Sequence, residues 1–455
     1  MTFPRRLKRA LTGDPDARFV YLNNFEVERV WGQGEPGLPG AGFSFSGATV
    51  NRMEEVGVPH ADVSDVVVLK APVDEEYLAY LRSLDAARGQ QLMVDDNVPD
   101  RSVTQDALVS PRLLEQLRGL DDGHTFLAPL GISSEEERLS HVTGLPLAGP
   151  SAAVCRHVNG KTFSRELVDD SGLTRVPGAV CRTYEELEEA IATHHGEGER
   201  VVVKESLGVS GRGMVVLDSR RRADQLLRML ARRGRQTPLA LVVEEWIDKR
   251  LDLNYQFIVD RDGATRFETV KTALTADGVH RGHRFPPDLS PAHVEDLRSA
   301  AVVIGKRLAD EGYYGLVGVD AMLGVDGTLY PCLEINARFN MATYQNRIAE
   351  SLFGSAQHAL AAVIPLRLNR PYTFGEITRT LGALLYRRPG GTGVLINNFA
   401  TLNAAVTPGK KSAGRLYVIC VADTPADAEN LRSATELALL AMVNQSDEHG
   451  EHHDH

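Results

Sequence analysis

One hairpin in the last third of the chain constrains the fold more than any other stretch. Residues 320–338 read DAMLGVDGTLYPCLEINAR, in which the turn residues DGT separate two apolar runs. This pattern predicts two antiparallel strands joined by a tight turn. A three-residue loop centred on Gly327 would place Asp320 directly opposite Glu334. A two-residue loop at Asp326-Gly327 would put the two carboxylates on opposite faces.

The return strand of this hairpin carries Glu334, Asn336 and Arg338, which share one face because alternate strand residues point the same way. With Asp320 opposite Glu334, that face would hold two carboxylates, an amide oxygen and a guanidinium. Such an oxygen-rich group suits Mg²⁺ that is also bound by substrate phosphates. The alternative is an ordinary amphipathic hairpin with a solvated acidic face, and the hairpin taken alone favours that alternative.

Length and charge limit what the rest of the chain can be. At 455 residues it is too long for one core, so we expect two or three domains. A formal net charge of -11 argues against nonspecific nucleic-acid binding, which needs a basic surface. The four cysteines are scattered and lack metal-ligand spacing, so they are expected to be reduced.

The sequence shows no targeting or membrane signal. Its basic N-terminal segment lacks the apolar core of a signal peptide, and no apolar run reaches the length of a membrane span. These features predict a cytoplasmic protein that does not bind membranes.

The first third of the chain alternates strands and helices. Strands are predicted at residues 18–22, 66–69 and 92–94, with a helix over 75–87. Such alternation predicts a parallel sheet, and hence a Rossmann-like α/β domain over residues 1–150.

The remaining chain is predicted to have a mixed α and β organisation. Residues 151–365 would form one region, whose last element is a helix around residues 343–362. Residues 366–445 would form a small α+β domain ending in a helix over 425–442. The histidine-rich tail, residues 446–455, is predicted to be disordered and solvated, although its histidines could bind metal adventitiously.

A second informative stretch is the glycine-rich loop GVSGRG at residues 208–213, which follows the apolar strand RVVVK. Glycines let backbone N–H groups approach phosphate oxygens, and Lys204 at the strand end would aim its ammonium at the same phosphates. The loop is not a Walker A motif, because GK[ST] is missing, nor a dinucleotide fingerprint, because it lies between two strands. A flexible turn and a snorkelling lysine are the alternatives.

Taken in order, these elements resemble the ATP-grasp superfamily over roughly residues 150–365. The resemblance is carried by the following series: Lys161, Lys204, the glycine-rich loop, Glu244-Glu245, Asp320, Glu334, Asn336 and Arg338. It implies a fold in which two α+β subdomains enclose ATP, preceded by a Rossmann-like domain. The final ExNxR element with its upstream carboxylate is the most specific part of the match.

The resemblance also implies roles for individual residues around the phosphates. Lys161 and Lys204 would bind the α- and β-phosphates of ATP. The mobile loop above the phosphates would contain Ser210, Gly211 and Gly213.

The resemblance further implies how adenosine would be bound. The strand end at Glu244 would lead into a linker in which the carbonyl of Glu245 and the N–H of Ile247 bind adenine. Asp252 would contact the ribose, although the family often has Glu or His at this place.

Two Mg²⁺ ions are implied as cofactors by the same resemblance. Asp320 and Glu334 would hold one ion, and Glu334 and Asn336 would hold the second. Many family members have Glu in place of Asp320, and Asp is common as well.

The flanking regions resemble peptide ligases of the pheganomycin type. This resemblance implies an ATP-dependent, ADP-forming carbon–nitrogen ligase of antibiotic biosynthesis. It would join an amino-acid-like acid to the amine of an amino acid or peptide through an acyl phosphate. Arg338 would stabilise the acyl-phosphate oxyanion, and dimers are common among similar proteins, so a homodimer is one expectation.

The carboxylate substrate has candidate ligands in a basic stretch that follows a predicted strand. Lys271, Arg281 and Arg284 could hold the carboxylate, and a solvated basic loop is an equally good interpretation. Two further functions stay open: a carboxylase that activates bicarbonate, and a non-catalytic ATP sensor or scaffold.

Overall fold

The computed structural model describes residues 1–35, 37–39, 47–196, 200–208, 213–276, 279–407 and 409–451. Its N-terminal part contains α1 (Phe3–Thr12), β1 (Arg18–Leu22), α2 (Val27–Trp31), α3 (Gly47–Asn51), a 3-10 helix (Met53–Gly57), β2 (Val66–Leu69), α4 (Glu75–Ser83), β3 (Gln90–Met93), α5 (Val103–Ala107), α6 (Pro111–Arg118), β4 (Thr125–Pro129) and α7 (Ser134–Thr143). The strands pair in parallel in the order β3-β2-β1-β4. The predicted parallel sheet is therefore confirmed.

A small subdomain follows, which we call the lid. It is preceded by α8 (Ala152–Val158) and α9 (Lys161–Ser171), and it contains β5 (Gly178–Cys181), α10 (Tyr184–His194), β6 (Val201–Glu205), β7 (Met214–Leu217), α11 (Arg220–Arg233) and β8 (Leu241–Glu245). Its antiparallel sheet has the order β5-β8-β6-β7 and carries a hydrophobic core of its own. A capping box of Thr183 and Glu186 starts α10, because each side chain accepts from the backbone N–H of the other residue.

The rest of the chain builds one large sheet. Its elements are β9 (Lys249–Val259), β10 (Thr265–Ala276), β11 (Val279–Phe285), α12 (Pro291–Asp310), β12 (Gly315–Gly324), β13 (Leu329–Asn336), α13 (Met341–Leu352), β14 (His358–Leu368), α14 (Phe374–Leu381), a 3-10 helix (Gly382–Leu384), β15 (Gly393–Asn398), α15 (Ala400–Asn403), β16 (Ser412–Ala422) and α16 (Pro425–Glu451). Eight strands pair in the order β13-β12-β9-β10-β11-β14-β16-β15. The described helices include none that is long and apolar enough to cross a membrane.

Two sequence predictions fail in this part. The helix predicted around 343–362 ends at Leu352, and the apolar residues from His358 onward form β14, because they pair with β11 and β16. The boundary proposed at residue 366 therefore falls inside a strand. The last helix, predicted to end at Met442, continues to Glu451, so residues 446–451 of the predicted disordered tail are helical. Residues 452–455 lie outside the described residues.

Candidate active site

The hairpin of β12 and β13 has the predicted pairing, with Asp320 directly opposite Glu334. The predicted loop is wrong in detail. The N–H of Gly324 donates to the carbonyl of Thr328 at 2.9 Å, so the three loop residues are 325–327 and Gly327 is the last of them. Its φ of +85° explains why glycine stands there. An irregularity between Asp320 and Met322 shifts the register by two residues, which preserves the face of every side chain.

Asp320 lies at the centre of a buried polar cluster. One of its oxygens accepts from Asn254 Nδ2 at 2.8 Å and the other from Asn336 Nδ2 at 3.3 Å. Burial and the neighbouring Glu334 carboxylate raise the pKa of Asp320 to about 6. The Oδ1 atom of Asn254 is buried and has no hydrogen-bond partner among the described residues. The cluster therefore contains a carboxyl group that is difficult to ionise and an unused acceptor.

A magnesium ion fits the chemistry of this cluster. Carboxylate and amide oxygens are ligands that Mg²⁺ prefers, and an ion would relieve the repulsion between Asp320 and Glu334. The described residues contain no group of three His, Cys, Asp or Glu side chains arranged for a metal. An ion here would therefore need further oxygens, as from phosphates. Asn336 Oδ1 accepts from Arg338 at 2.9 Å, so this amide would have to turn to become a ligand.

Lys161 connects the carboxylates to the glycine-rich loop. It is the first residue of α9, and its Nζ donates to Glu334 Oε1 at 2.7 Å and to the Gly208 carbonyl at 3.0 Å. Its side chain is only 6% exposed, so the ammonium is held between these two oxygens. The structure thus brings together three elements that are separated by up to 173 residues in the sequence.

Lys204 ends β6 on the lid side of the same cleft. Its Nζ donates to Glu244 Oε2 at 2.5 Å, and the other Glu244 oxygen accepts from Arg165 at 3.3 Å. Burial alone would lower the pKa of Lys204, but the charges and hydrogen bond of Glu244, together with Glu334, raise it above the usual value. Lys204 is therefore a permanent cation. Sequence reasoning missed Arg165, which α9 places under Glu244.

Only part of the glycine-rich loop belongs to the described chain. Ser210 and Gly211 lie outside the described residues. Gly213 has a φ of +73°, and a Cβ there would lie 2.4 Å from Glu205 Oε2. The Gly213 carbonyl also accepts from the Glu205 N–H at 2.7 Å. Glycine at this position is therefore required to close the loop against β6.

The linker after β8 lines the cleft as predicted from the sequence. Ile247 faces the cleft, and its N–H makes no hydrogen bond within the described parts of the chain. The side chain of Glu245 points toward His194, and Glu245 Oε1 lies 3.1 Å from His194 Nδ1. Asp252 also lines the cleft, where it accepts from Lys249 and from Thr275.

Arg338 is fixed by three neighbours. Its guanidinium donates to Asn336 Oδ1, to the carbonyl of Phe339 at 2.9 Å and to the carboxylate of Glu28 on α2. Glu28 was not among the residues predicted from the sequence, because nothing in the sequence links residues 310 positions apart. Through this ion pair the N-terminal domain contributes directly to the site.

Two predicted substrate ligands are not in the cleft. Lys271 is 1% exposed and donates to the Ala342 carbonyl at 2.6 Å, where it supports the start of α13. Arg284 faces away and pairs with Glu429 of α16 at 3.5 Å. The predicted basic loop is in fact β11, so its side chains alternate between faces. The pairing with β10 shifts at Arg281, the extra residue of a bulge, so this alternation is interrupted there. Residues 280–283 line the cleft, and Arg284 does not.

One cleft of about 740 Å³ lies between the lid, the N-terminal domain and the large sheet, and most of the groups described above line it. One end of it holds Lys161, Lys204 and the linker, and its centre holds the carboxylate cluster and Arg338. Beyond them the cleft continues over β11, β14 and β16. The arrangement can bind a polyphosphate beside a second, anionic reactant.

Family models match two successive parts of the chain. Residues 60–145 match the pre-ATP-grasp domain, and residues 167–338 match the ATP-grasp domain. The second match contains both strands that flank the glycine-rich loop and the complete hairpin of β12 and β13. The chain is an ATP-grasp superfamily protein with a pre-ATP-grasp domain.

Two curated relatives share part of this ATP-grasp chain. The [butirosin acyl-carrier protein]--L-glutamate ligase of Niallia circulans is 32% identical over 201 residues, which cover 44% of this chain and 48% of that protein. The pyruvate carboxylase of Schizosaccharomyces pombe is 28% identical over 287 residues, covering 60% of this chain and 22% of that protein. The chain thus spans less than half the length of either relative.

A solved structure shows the same fold. The biotin carboxylase domain of the 2-oxoglutarate carboxylase from Hydrogenobacter thermophilus, a dimer with MgADP, ADP and bicarbonate, aligns with a TM-score of 0.54. It is 16% identical and covers 92% of this chain and 89% of that chain. The predicted combination of a Rossmann-like domain and a two-subdomain ATP-grasp fold is confirmed.

Proposed function

We propose that this ATP-grasp protein is an ADP-forming ligase that joins a carboxylate to an amine. The observation that carries the proposal is the bridge made by Lys161, whose ammonium contacts both the glycine-rich loop and Glu334. This bridge puts the start of the glycine-rich loop next to a pair of partly buried carboxylates suited to Mg²⁺. A site built this way positions a phosphoryl group for transfer.

In the proposed reaction the γ-phosphoryl group of ATP passes to the substrate carboxylate and gives an acyl phosphate. An amine then attacks the acyl carbon, and phosphate leaves as the amide forms. Lys161 and Lys204 neutralise phosphate charge, and the described cleft needs no nucleophilic side chain for either step. Mg²⁺, held by Asp320, Glu334 and Asn336, would neutralise the charge on the transferred group.

Arg338 is the proposed oxyanion ligand. Its guanidinium lies beside the carboxylate cluster and is held rigid by Asn336 and Glu28. A preoriented cation at this position stabilises the charge that develops on the acyl oxygen during attack. Glu28 keeps the guanidinium in place while that charge is absent.

The substrates of the proposed ligase are an amino-acid-like acid and the amine of an amino acid or peptide. The glutamate ligase of butirosin assembly, named above, supports an amino-acid substrate and a role in antibiotic biosynthesis. Arg281 in the cleft is the remaining predicted carboxylate ligand. A homodimer and a cytoplasmic location remain predictions, of which light scattering tests the first.

ADP release tests the ligase. Purified protein is incubated with ATP, Mg²⁺ and pairs of amino acids and short peptides, and both ADP and product mass are followed. Stimulation that requires an acid and an amine together supports a ligase. Stimulation by bicarbonate alone would support the carboxylase that the pyruvate carboxylase relative suggests. If the protein binds ATP but no pair of substrates gives turnover, the remaining interpretation is a non-catalytic ATP sensor or scaffold.

The variant Glu334→Gln tests the metal assignment. It keeps the shape of the side chain but removes one of the two facing carboxylates, so turnover should fall by about 10³-fold or more. The matched control is Asp326→Asn in the same hairpin, where the carboxylate only accepts from Thr328 in the turn. Activity of Glu334→Gln at the control level would contradict the assignment.

A further inference from the structure

The cleft extends beyond the carboxylate cluster onto the strands of the C-terminal part. There it is lined by Asn397 of β15 and by Arg415 and Tyr417 of β16, which we call the distal subsite. Arg415 and Tyr417 are two residues apart on one strand, so their side chains share a face. None of the three takes part in the proposed phosphoryl transfer.

Asn397 shows that this part of the cleft is built for a ligand. The pairing of β15 with β16 shifts between Ile396 and Asn398, so Asn397 is the extra residue of a bulge. Bulges turn a side chain out of the regular alternation, and here the side chain lines the cleft. Asn397 is 3% exposed, and its Oδ1 has no hydrogen-bond partner among the described residues. A buried acceptor without a donor costs free energy that a ligand N–H would recover.

Arg415 supplies the complementary donor, and Tyr417 holds it in position. Tyr417 is buried, it is hydrogen-bonded to Arg415, and its hydroxyl lies 3.5 Å from Met53 Sδ on the N-terminal domain. The guanidinium of Arg415 is thereby held on the cleft wall. A planar cation of this kind recognises a carboxylate.

We propose that the distal subsite binds the carboxylate end of a substrate, with Arg415 on the carboxylate and Asn397 on an adjacent amide N–H. This inference rests on the proposed ligase, because the reactive group of the same substrate would lie at Arg338. The ligand class is an N-acylated amino acid end, in which a carboxylate and an N–H are separated by one carbon. The C-terminal strands would then select substrates by recognising the end of the molecule that is remote from the reacting group.

Ligand-observed NMR on the full chain tests the subsite without any turnover. The probe is N-acetylglycine, compared with its methyl ester and with free glycine, whose nitrogen is charged and not acylated. The wild type should bind N-acetylglycine and bind the ester at least tenfold more weakly. Arg415→Gln should weaken N-acetylglycine binding about tenfold, since it removes a charge-assisted hydrogen bond.

Arg388→Gln is the matched control, because Arg388 is an exposed arginine of the same region that does not line the cleft. It should bind like the wild type, and thermal unfolding verifies that both variants are folded. Absence of wild-type binding, equal binding of the ester, or unchanged binding in Arg415→Gln would each overturn the subsite. These outcomes are independent of ADP release, so failure of the subsite and failure of the ligase are distinguishable.

Discussion

Two lysines in different regions of the molecule are removed from solvent but differ in the charge of their neighbours. Lys204 in the lid donates to the Glu244 carboxylate. Lys271 in the large sheet donates to the neutral oxygens of Ala342 and Gln345 and lies against the Phe285 ring. Burial lowers the pKa of Lys271 well below the ordinary value for lysine. The Glu244 carboxylate outweighs burial at Lys204 and raises its pKa above that value. Of the two lysines, Lys204 is the one whose positive charge is stabilised, because the Glu244 carboxylate is buried beside it.

The largest expected effect is on activity, which replacement of Lys204 should reduce and replacement of Lys271 should not. Lys204→Met should lower kcat/KM for ATP by about 10³-fold, since it removes a fixed cation from the phosphate region. Lys271→Met should change kcat/KM by less than about threefold, because its side chain does not reach the cleft. Steady-state ADP release measures both. Equal losses in the two variants would remove the functional distinction between the regions.

The second prediction removes the carboxylate that makes Lys204 different. Glu244→Gln leaves Lys204 and Arg165 without their shared counter-charge, so activity should fall by about 10²-fold. Stability should fall by about 3 kcal/mol, as is typical when one member of a buried ion pair is lost. Urea unfolding and ADP release provide the two measurements.

Glu245→Gln is the control for this variant. Glu245 is the next residue, and its side chain pairs with His194 outside the phosphate region. Its variant should therefore keep activity near the wild-type level. If Glu245→Gln loses as much activity as Glu244→Gln, then activity depends on any change in the linker and not specifically on the counter-charge of Lys204.

A third prediction extends the comparison to another buried group that lacks a counter-charge. Burial, with Arg347 and Lys8 nearby, lowers the pKa of His60 to about 3. Between pH 6.5 and 3 the unfolded state then binds a proton that the folded state does not, so stability falls as pH falls below 6.5. His60→Phe, placed among Tyr21, Phe339 and Tyr344, should be about 2 kcal/mol more stable than the wild type at pH 5.

Unfolding in urea at pH 5 and pH 7.5 measures this difference. Replacement of the exposed His124 by Gln should leave the pH dependence of the wild type unchanged. An unchanged slope in His60→Phe would show that His60 is charged in the folded protein.

The last prediction concerns the stability contributed by Lys271 at alkaline pH. Its lowered pKa means that the unfolded state binds a proton that the folded state lacks, so wild-type stability should rise with pH toward 10.5. Lys271→Met should flatten that rise by up to about 1.4 kcal/mol per pH unit. Unfolding midpoints between pH 7 and pH 9.5 measure the slope. Replacement of the exposed Lys306 by Met should preserve it.

The sequence predicted those parts of the site that depend on local pattern. Asp320 and Glu334 face each other because side chains alternate along both strands and the loop has an odd number of residues. Because only the odd number matters, the prediction holds although the loop is centred on a different residue. Lys161, Lys204 and the linker were also placed on the cleft by their order along the chain. Their roles with ATP remain predictions.

The parts that failed depend on pairing between distant segments. Arg284 was misplaced because β11 exists only through its neighbours β10 and β14, and its partner Glu429 is 145 residues away. Lys271 was misplaced because polarity alone cannot show that α13 covers it. The distal subsite was invisible for the same reason, since a bulge is a property of two paired strands and not of one sequence.

The unbroken hydrogen-bond ladder from β13 to β15 has a consequence for recombination of such proteins. A chimera joined at residue 366 would have its junction inside β14, so β16 would pair with a strand whose two parts come from different parents. The C-terminal strands are thus not an exchangeable module. Altered selectivity would have to be introduced by point changes on β15 and β16, within an intact sheet.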